Sequence, residues 1–304
     1  MYKKNQWITR RIFILVFAAL AALVVFSFYY YASAISNNKL HLTTASMMST
    51  DKTNKMDKFG IKEIYPTANG GREWFINMDN PKNDEIFNPH SPITREDDGS
   101  WQIAGRYKTG KYDEQVRMTV NSTPGAKPWK NVEITGYAKV VQATPPNDLL
   151  VWYARGNRHN DLVPCEGTSL KGRISVNGTV SWIKEIWHTG GYTNSKDKAK
   201  VTDSILGRWI GWKVVMYNIN NDTAVKMESY LDDKNNNNWV KVTDLVDNGG
   251  WFANTPDDIF YSAHCGKPKD YIITNSGPIV TFRSDNMIWD FKDLSVREIQ
   301  PPQP

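Results

Sequence analysis

Most of this sequence of 304 residues carries almost no net charge, although the net charge of the whole chain is +5. Lys3, Lys4, Arg10 and Arg11 supply four of those charges, and no acidic residue occurs before Asp51. Removing these four from the 37 basic residues leaves 33, against 32 acidic residues. A nucleic-acid partner needs a basic face, so the composition excludes that class of function.

Long amphipathic helices and nucleotide-binding motifs are also absent. No stretch of three helical turns carries an apolar stripe. The sequence contains no G-x-x-x-x-G-K-[ST], no G-x-G-x-x-G and no G-x-S-x-G, so nucleotide use and serine hydrolysis are not expected. Aromatic residues are plentiful instead, with 12 tryptophans and 14 tyrosines, and such residues favour strands.

Cysteine is scarce, since the chain contains only Cys165 and Cys265. In an oxidising compartment these two are expected to pair, and closing so long a loop stabilises a fold by about 4–5 kcal/mol. Two separate buried thiols are the alternative. Triplets at Asn121, Asn177 and Asn221 have the form of N-glycosylation acceptors, which agrees with an exterior domain.

One long hydrophobic run lies near the N-terminus. Residues Ile12–Phe28 are uncharged and nearly all apolar, and three tyrosines follow them. A helix over this run and the tyrosines is roughly 30 Å long, the thickness of a bilayer core. The basic flank predicts that residues 1–11 are cytoplasmic. We therefore expect a single-pass signal anchor over 12–34 in a plasma membrane, with the rest outside. A signal peptide cleaved near Ala34, giving a secreted protein, is the alternative.

The remaining chain divides into a spacer, one domain and a tail. Residues 35–58 are polar and lack periodicity, which predicts a flexible spacer, and 301–304 form a short tail. Between them, residues 59–300 alternate apolar and polar side chains with a period of two. Asn177-Gly178 between two apolar runs indicates a hairpin. We predict an all-β, two-sheet antiparallel jelly-roll sandwich preceded by one transmembrane α-helix.

Several segments of this domain resemble a known family. They are G-G-R-E-W-F, W-K-N-V-E-I-T-G-Y-A-K-V, G-R-W-I-G-W-K-V-V-M-Y-N, K-M-E-S-Y-L-D-D, and V-T-F-R-S-D-N with F-K-D-L-S-V-R-E-I. In order and character they are similar to the concanavalin A-like lectin/glucanase superfamily, and more distantly to alginate-lyase-type polysaccharide lyases and laminin-G-like modules. The resemblance spans residues 59–300 and implies a jelly roll, a fold that carries lectins, hydrolases, lyases and inert surface modules.

The densest polar cluster lies in residues 155–188. Its segment W-I-K-E-I-W-H-T-G-G-Y predicts a strand with Trp182, Lys184 and His188 on one face, and Glu185 and Trp187 on the other. We expect a solvated groove in which aromatic rings stack on sugars and charged groups bind hydroxyls or carboxylates. The predicted ligand-binding residues are Arg155, His159, Lys184, Glu185, Trp187 and His188. A solvated sheet face with cross-strand salt bridges is the alternative.

The sequence leaves open the choice between a binding module and an enzyme. The E-x-D-x-E run of hydrolases with this fold is absent, and E-I-W-H stands where lyases of the family carry Q-I-H. A polysaccharide lyase or glycoside hydrolase on the same groove would use His188 or Glu185 as its catalytic base, with Arg117 and Tyr230 as further candidates. A structural surface protein is a third hypothesis.

No cofactor is expected, apart from a structural Ca²⁺. Asp232-Asp233 and the asparagines after them offer oxygen ligands of the kind Ca²⁺ prefers, and turn formation by the same residues is the alternative. The predicted function is therefore a membrane-anchored, extracytoplasmic carbohydrate-binding module. Its predicted partners are a polysaccharide or glycan and, through the N-terminal helix, the membrane.

Overall fold

The computed structural model describes residues 55–104, 115–144 and 148–302. Within these ranges the chain forms two antiparallel sheets, with one short helix, α1 (Asp257–Tyr261), and two 3₁₀ turns, Pro81–Asn83 and Pro164–Gly167. The predicted all-β, two-sheet antiparallel sandwich is confirmed. The predicted transmembrane segment lies outside the described residues, and inside them no helix is both long and apolar enough to cross a bilayer.

Sheet one contains eight of the described strands. They are β1 (Glu73–Phe75), β3 (Ile93–Arg95), β4 (Trp101–Ala104), β6 (Val132–Ala143), β11 (Trp209–Ile219), β12 (Ala224–Asp232), β13 (Val240–Asp247) and β15 (Met287–Glu298). Their spatial order is β13-β12-β11-β6-β15-β4-β3, and β1 pairs with the later half of β15. The long strands β6, β11 and β15 form the middle of this sheet.

Sheet two contains the other seven strands of the described ranges. They are β2 (Phe87–Pro89), β5 (Val116–Asn121), β7 (Leu149–Gly156), β8 (Ser169–Ser175), β9 (Thr179–Glu185), β10 (Lys196–Lys200) and β14 (Ile279–Asp285). Their spatial order is β10-β9-β8-β7-β14-β5-β2. Strands distant in sequence are therefore neighbours, as β14 is of β5 and β7.

The core lies between the two sheets and is built from every second residue of each strand. In β7, Leu150 and Trp152 are fully buried against the facing sheet, as two-residue alternation requires. Sheet one approaches closely at Gly136, where an added Cβ would lie 3.2 Å from the Trp152 ring and within clashing distance of Leu294. Glycine at this position therefore makes room for the large core side chains.

The turn predicted at Asn177-Gly178 is present between β8 and β9. Gly178 has a φ of +84°, a conformation that glycine adopts without strain. The Asn177 side-chain oxygen accepts the backbone N–H of Thr179 at 3.0 Å and the Ser175 hydroxyl at 2.6 Å. The local sequence therefore determines this hairpin.

The outer faces of the two sheets differ in what covers them. Residues 55–66 lie across the outer face of sheet one, where the backbone N–H of Ile64 donates to Glu133 at 3.1 Å. The Tyr65 hydroxyl donates to Glu228 at 2.8 Å on the same face. The outer face of sheet two carries two clefts instead, so it is the face available for a ligand.

Candidate functional site

Polar side chains cover the outer face of sheet two because they occupy the alternate positions of its strands. Lys171 and Arg173 of β8 point outward, while Gly172 and Ile174 between and after them face the core. Arg283 of β14 lies opposite Arg117 of β5 in the strand register. Four cationic side chains thus come from three strands that the chain order separates widely.

Cleft one has a volume of about 450 Å³ and lies over β7, β8, β9 and β14. Three cations, Lys171, Arg173 and Arg283, line it, and Asp285 is the one carboxylate among its described lining residues. Asp285 holds Arg283 through two hydrogen bonds of 2.6 and 2.7 Å. The Arg173 guanidinium donates to the hydroxyl of Ser181 at 3.0 Å and to the hydroxyl of Ser195. Cleft one therefore has a net positive charge.

Cleft two has a volume of about 270 Å³ and lies over β2, β5, β7 and β14. Arg117 and Arg158 line it, together with His90, His159 and side chains bearing hydroxyl or amide groups, and no carboxylate occurs among its described lining residues. Burial, and then the Arg117 charge, lower the pKa of His90, which keeps this imidazole neutral at pH 7. The positive charge of cleft two thus resides on its arginines.

A buried carboxylate, Glu185, lies where the two clefts adjoin. It accepts His159 Nε2–H at 2.7 Å, His188 Nδ1–H at 3.1 Å and the Ser169 hydroxyl at 3.1 Å, and it forms an ion pair with Lys171. His159 lines cleft two and His188 lines cleft one. This group of residues, the Glu185 cluster, therefore connects the walls of both clefts.

The electrostatics of the Glu185 cluster follow from burial and pairing. Burial alone raises the pKa of Glu185, but the Lys171 ammonium and the two imidazole donors outweigh it and hold this pKa well below its usual range. Burial lowers the pKa of Lys171 to about 8 despite Glu185, and its ammonium lies 5.0 Å from the ring centres of Tyr153 and Tyr192. At neutral pH the carboxylate is ionised and accepts from every neighbour.

Three of the predicted site residues, His159, Glu185 and His188, are brought together by the fold. From the sequence, His188 was expected to share a strand face with Lys184, and the structure corrects that expectation. Strand β9 ends at Glu185, and the chain turns sharply through 186–191, where the Gly191 N–H donates to the Trp187 carbonyl at 3.1 Å. The turn places His188 beside Glu185, on the outer face.

The other three predicted site residues do not reach the clefts. Lys184 points into the interior, fully buried, with its ammonium 2.8 Å from Asp247. The Trp187 ring, 4% exposed, packs against Phe260 below the turn. Neither side chain is available for stacking on, or bonding to, a ligand at this face.

Arg155 is also buried, because strand β7 is irregular at this residue. Arg155 has a φ of +71°, and the pairing of β7 with β14 shifts register beside it. Its guanidinium therefore turns inward and donates to the Ile273 carbonyl at 2.8 Å and to Asn218 of sheet one. The expectation that Arg155 lies in a solvated groove is therefore corrected, and the residue ties the two sheets together.

Cys165 and Cys265 form a disulfide bond across 100 residues, as predicted for an oxidising compartment. The bond joins the loop that supplies His159 to the segment after α1.

Of the glycosylation candidates, Asn177 and Asn221 are exposed on turns, whereas Asn121 is half-buried at the wall of cleft two. The first two positions are the ones that offer an enzyme access.

The acidic pair Asp232 and Asp233 makes hydrogen bonds that shape a turn. Asp232 is buried and accepts the backbone N–H groups of Asn236 and Asn237 at 3.0 and 2.7 Å, which is the turn-forming alternative to a Ca²⁺ site. Asp233 pairs with Arg208 at 2.8 Å. The two carboxylates are thus engaged with separate partners.

Tyr230, a candidate partner of His188 in a lyase, lies on the outer face of sheet one, where it donates to Glu228 at 2.9 Å. That is the opposite side of the sandwich from His188. Conversely, Arg173, Arg283 and Asp285 line cleft one but were not predicted. Their alternation in β8 and β14 was a usable signal, because the same parity that buries Phe282 points Arg283 outward.

Comparisons with known proteins find likeness of fold alone. No family model and no curated protein matches the chain. Among solved structures, a carbohydrate binding module, CBM66 from Bacillus subtilis, is 10% identical with a TM-score of 0.41, covering 71% of this chain and 97% of its own. Winged bean acidic lectin complexed with methyl-alpha-D-galactose is 10% identical with a TM-score of 0.43, covering 76% and 100%.

A protein from Parabacteroides distasonis described as a "putative glycosyl hydrolase" matches with 15% identity and a TM-score of 0.35, covering 68% of this chain and 83% of its own. The solved structures similar to this chain include a lectin, a carbohydrate binding module and a protein described as a glycosyl hydrolase, which agrees with the resemblance seen in its sequence. Likeness at this level carries no argument about a ligand. Over the residues that the structure describes, the chain is a two-sheet antiparallel sandwich, and the outer face of its sheet two carries cationic clefts.

Proposed function

We propose that the outer face of sheet two binds a polysaccharide or glycan that carries acidic groups. The observation that supports this most directly is the charge of the clefts: three cations against one carboxylate in cleft one, and two arginines in cleft two. Guanidinium groups bind carboxylates and sulfates through paired hydrogen bonds. Lys171, Arg283 and Arg158 are each paired with a carboxylate. An anionic chain lying across both clefts would therefore bind chiefly Arg173 and Arg117, whose described hydrogen-bond partners are neutral.

Hydroxyl recognition is supplied by the neutral side chains of the same face. Asn88, Thr119 and Thr281 line cleft two and form a row across adjacent strands. Amide and hydroxyl groups both donate and accept hydrogen bonds, which suits the hydroxyls of a sugar. Arg173 keeps hydrogen-bonding capacity because its described partners are two serine hydroxyls, and water or a ligand oxygen readily replaces such partners.

The location of the module is a further part of this proposal. The apolar run Ile12–Phe28 supports anchoring by one helix, with residues 1–11 cytoplasmic and the sandwich outside. The disulfide between Cys165 and Cys265 agrees with an oxidising exterior. A protease applied to intact cells would degrade the sandwich if it is outside, and protection of the sandwich would contradict that location.

The binding test compares acidic with neutral polysaccharides on the full chain. We expect uronate-containing or sulfated chains to bind, neutral chains of the same length to bind at least tenfold more weakly, and binding to weaken with salt. Arg173→Met should lower the affinity about tenfold, since a hydrogen bond to a charged group is worth about 1.5–3 kcal/mol. Lys226→Met, on the outer face of sheet one, is the matched control. Equal binding of acidic and neutral chains would contradict the proposal.

Cleavage of the bound chain is the second candidate function. It is favoured by His188, which lines cleft one with an exposed side-chain fraction of 18% and contacts Glu185 through Nδ1 and Asp161 through Nε2, both at 3.1 Å. An imidazole held in this way can act as a base toward a sugar proton. Unsaturated products or new reducing ends, lost in His188→Ala, would establish it; intact polymer after prolonged incubation would exclude it.

A further inference from the structure

The Glu185 cluster has a composition and spacing that a hydrogen-bonded site alone does not require. One ligand atom each from His159, Glu185 and His188 lies within 4.8 Å of the other two. His159 Nε2 lies 2.7 Å from Glu185 Oε2, and His188 Nδ1 lies 3.1 Å from Glu185 Oε1. We propose that these three residues bind a divalent transition-metal ion of the Zn²⁺ type at the junction of the two clefts.

The donor set fits this class of ion. Two imidazoles and one carboxylate are ligands of catalytic zinc sites, which keep a further coordination position for water or substrate. Imidazole nitrogen also favours transition metals over Ca²⁺ and Mg²⁺, which prefer oxygen. Since His159 lines cleft two and His188 lines cleft one, the ion would be accessible from the surface that both clefts share.

Groups around the three residues support them in the way that metal ligands are supported. Asp161 lies 3.1 Å from His188 Nε2, so in the tautomer with its proton on Nε2 the imidazole would donate to Asp161 and leave Nδ1 free to ligate a metal. The Ser169 hydroxyl donates to Glu185 at 3.1 Å and orients the carboxylate. The disulfide of Cys165 ties down the loop that carries His159 and Asp161. The fold thus holds the side chains before any ion arrives.

Lys171 is the competitor for the same carboxylate. In the metal-free cluster its ammonium and both imidazole N–H groups satisfy Glu185. Metal binding would require each imidazole to carry its proton on the other ring nitrogen, which is a change of tautomer without net loss of a proton. The Lys171 ammonium would move toward the Tyr192 hydroxyl, now 3.5 Å away. Removing the lysine charge should therefore strengthen metal binding.

The test titrates the metal-free full chain, without an added histidine tag, with Co²⁺ and then Zn²⁺. We expect one Co²⁺ per chain with a visible absorption band of a nitrogen- and oxygen-ligated site, displaced by one equivalent of Zn²⁺. His159→Ala and His188→Ala should each weaken Zn²⁺ binding at least tenfold. His90→Ala and His264→Ala, at histidines outside the cluster, are the matched controls and should bind as the parent does.

Lys171→Met distinguishes a metal site from an ion-pair cluster. We expect at least tenfold tighter Zn²⁺ binding than in the parent chain, and a larger rise in thermal midpoint on adding Zn²⁺. Should the histidine variants fail to fold, this variant and the stoichiometry of the parent decide the question. Absence of a one-to-one complex, or equal Zn²⁺ affinity in the parent and Lys171→Met, would overturn the proposal. This outcome is independent of glycan binding, which the arginine variant tests.

Discussion

The outer faces of both sheets consist of the polar residues that alternate with core residues along each strand. The two faces differ in whether another segment covers them and in whether their charges are paired. On sheet one, Glu133 is fully buried and binds Lys213 at 2.6 Å and Arg297 at 2.8 Å. Arg297 also reaches Glu63, in the segment that covers this face, at 3.1 Å. Charges on this face are therefore paired with one another beneath a covering segment.

On sheet two, the outward charges are only partly paired and face two clefts. Lys171 pairs with Glu185, and Arg283 pairs with Asp285, but Arg173 binds serine hydroxyls. The comparison teaches that a polar outer face by itself does not indicate function. Coverage and pairing separate a structural face from one that is available to a ligand.

The largest expected effect is on the free energy of unfolding, and it comes from the disulfide beside the outer face of sheet two. The double variant Cys165→Ser, Cys265→Ser should lower the free energy of unfolding by about 4 kcal/mol, because the bond closes a loop of 100 residues. Chemical denaturation measures this loss. Hydrogen exchange should accelerate first in the loop around His159 and leave the β6–β15 pair protected; uniform acceleration would contradict a local role at the rim.

The covered face should respond strongly to loss of one charge. Lys213→Met leaves Glu133 buried with only Arg297 as its cationic partner, and breaking a buried pair costs about 3 kcal/mol. Urea denaturation measures the change. In the double variant with Glu133→Gln, part of the loss should be recovered, because the unpaired carboxylate is gone. A loss below about 1 kcal/mol for Lys213→Met would show that the covered face is more hydrated than its burial indicates.

Acid should weaken the covered face through the same carboxylate. Burial raises the pKa of Glu133, but Lys213 and Arg297 outweigh burial, and the net result is a lowered pKa. A lowered folded-state pKa contributes stability above the unfolded pKa of about 4.3, and this contribution is lost as pH falls below it. The slope of unfolding free energy between pH 6 and 3 should be shallower in Glu133→Gln than in the parent chain, and equal slopes would contradict this contribution of Glu133.

The smallest effect on stability is expected on the open face. Arg173→Met removes a guanidinium whose described partners are two serine hydroxyls near solvent, so the free energy of unfolding should change by less than about 1 kcal/mol. The same variant should weaken binding of an acidic polysaccharide. A large loss of stability with unchanged binding would reverse the assignment of the two faces.

Much of the fold could be predicted from the sequence because it depends on local pattern. The alternation at 116–120, the nearly unbroken apolar run at 149–154 and the Asn177-Gly178 turn correspond to β5, β7 and the β8–β9 hairpin. The site was predicted less completely. The structure brings three residues of the predicted cluster together, His159, Glu185 and His188, but Lys184 and Trp187, which were expected in a groove, lie in the interior instead.

The sequence by itself determined that the domain is made of β-sheets and which residues alternate along each strand, because both follow from a two-residue period. It also determined the position of the β8–β9 hairpin, because that position follows from turn chemistry. Only the tertiary structure decided which polar face stays open. That choice depends on residues 55–66 crossing sheet one, on the turn after β9 that returns His188 to Glu185, and on the positive φ that turns Arg155 inward. Each of these is a contact between segments far apart in the chain, or a local departure from regular geometry, and a repeating pattern encodes neither.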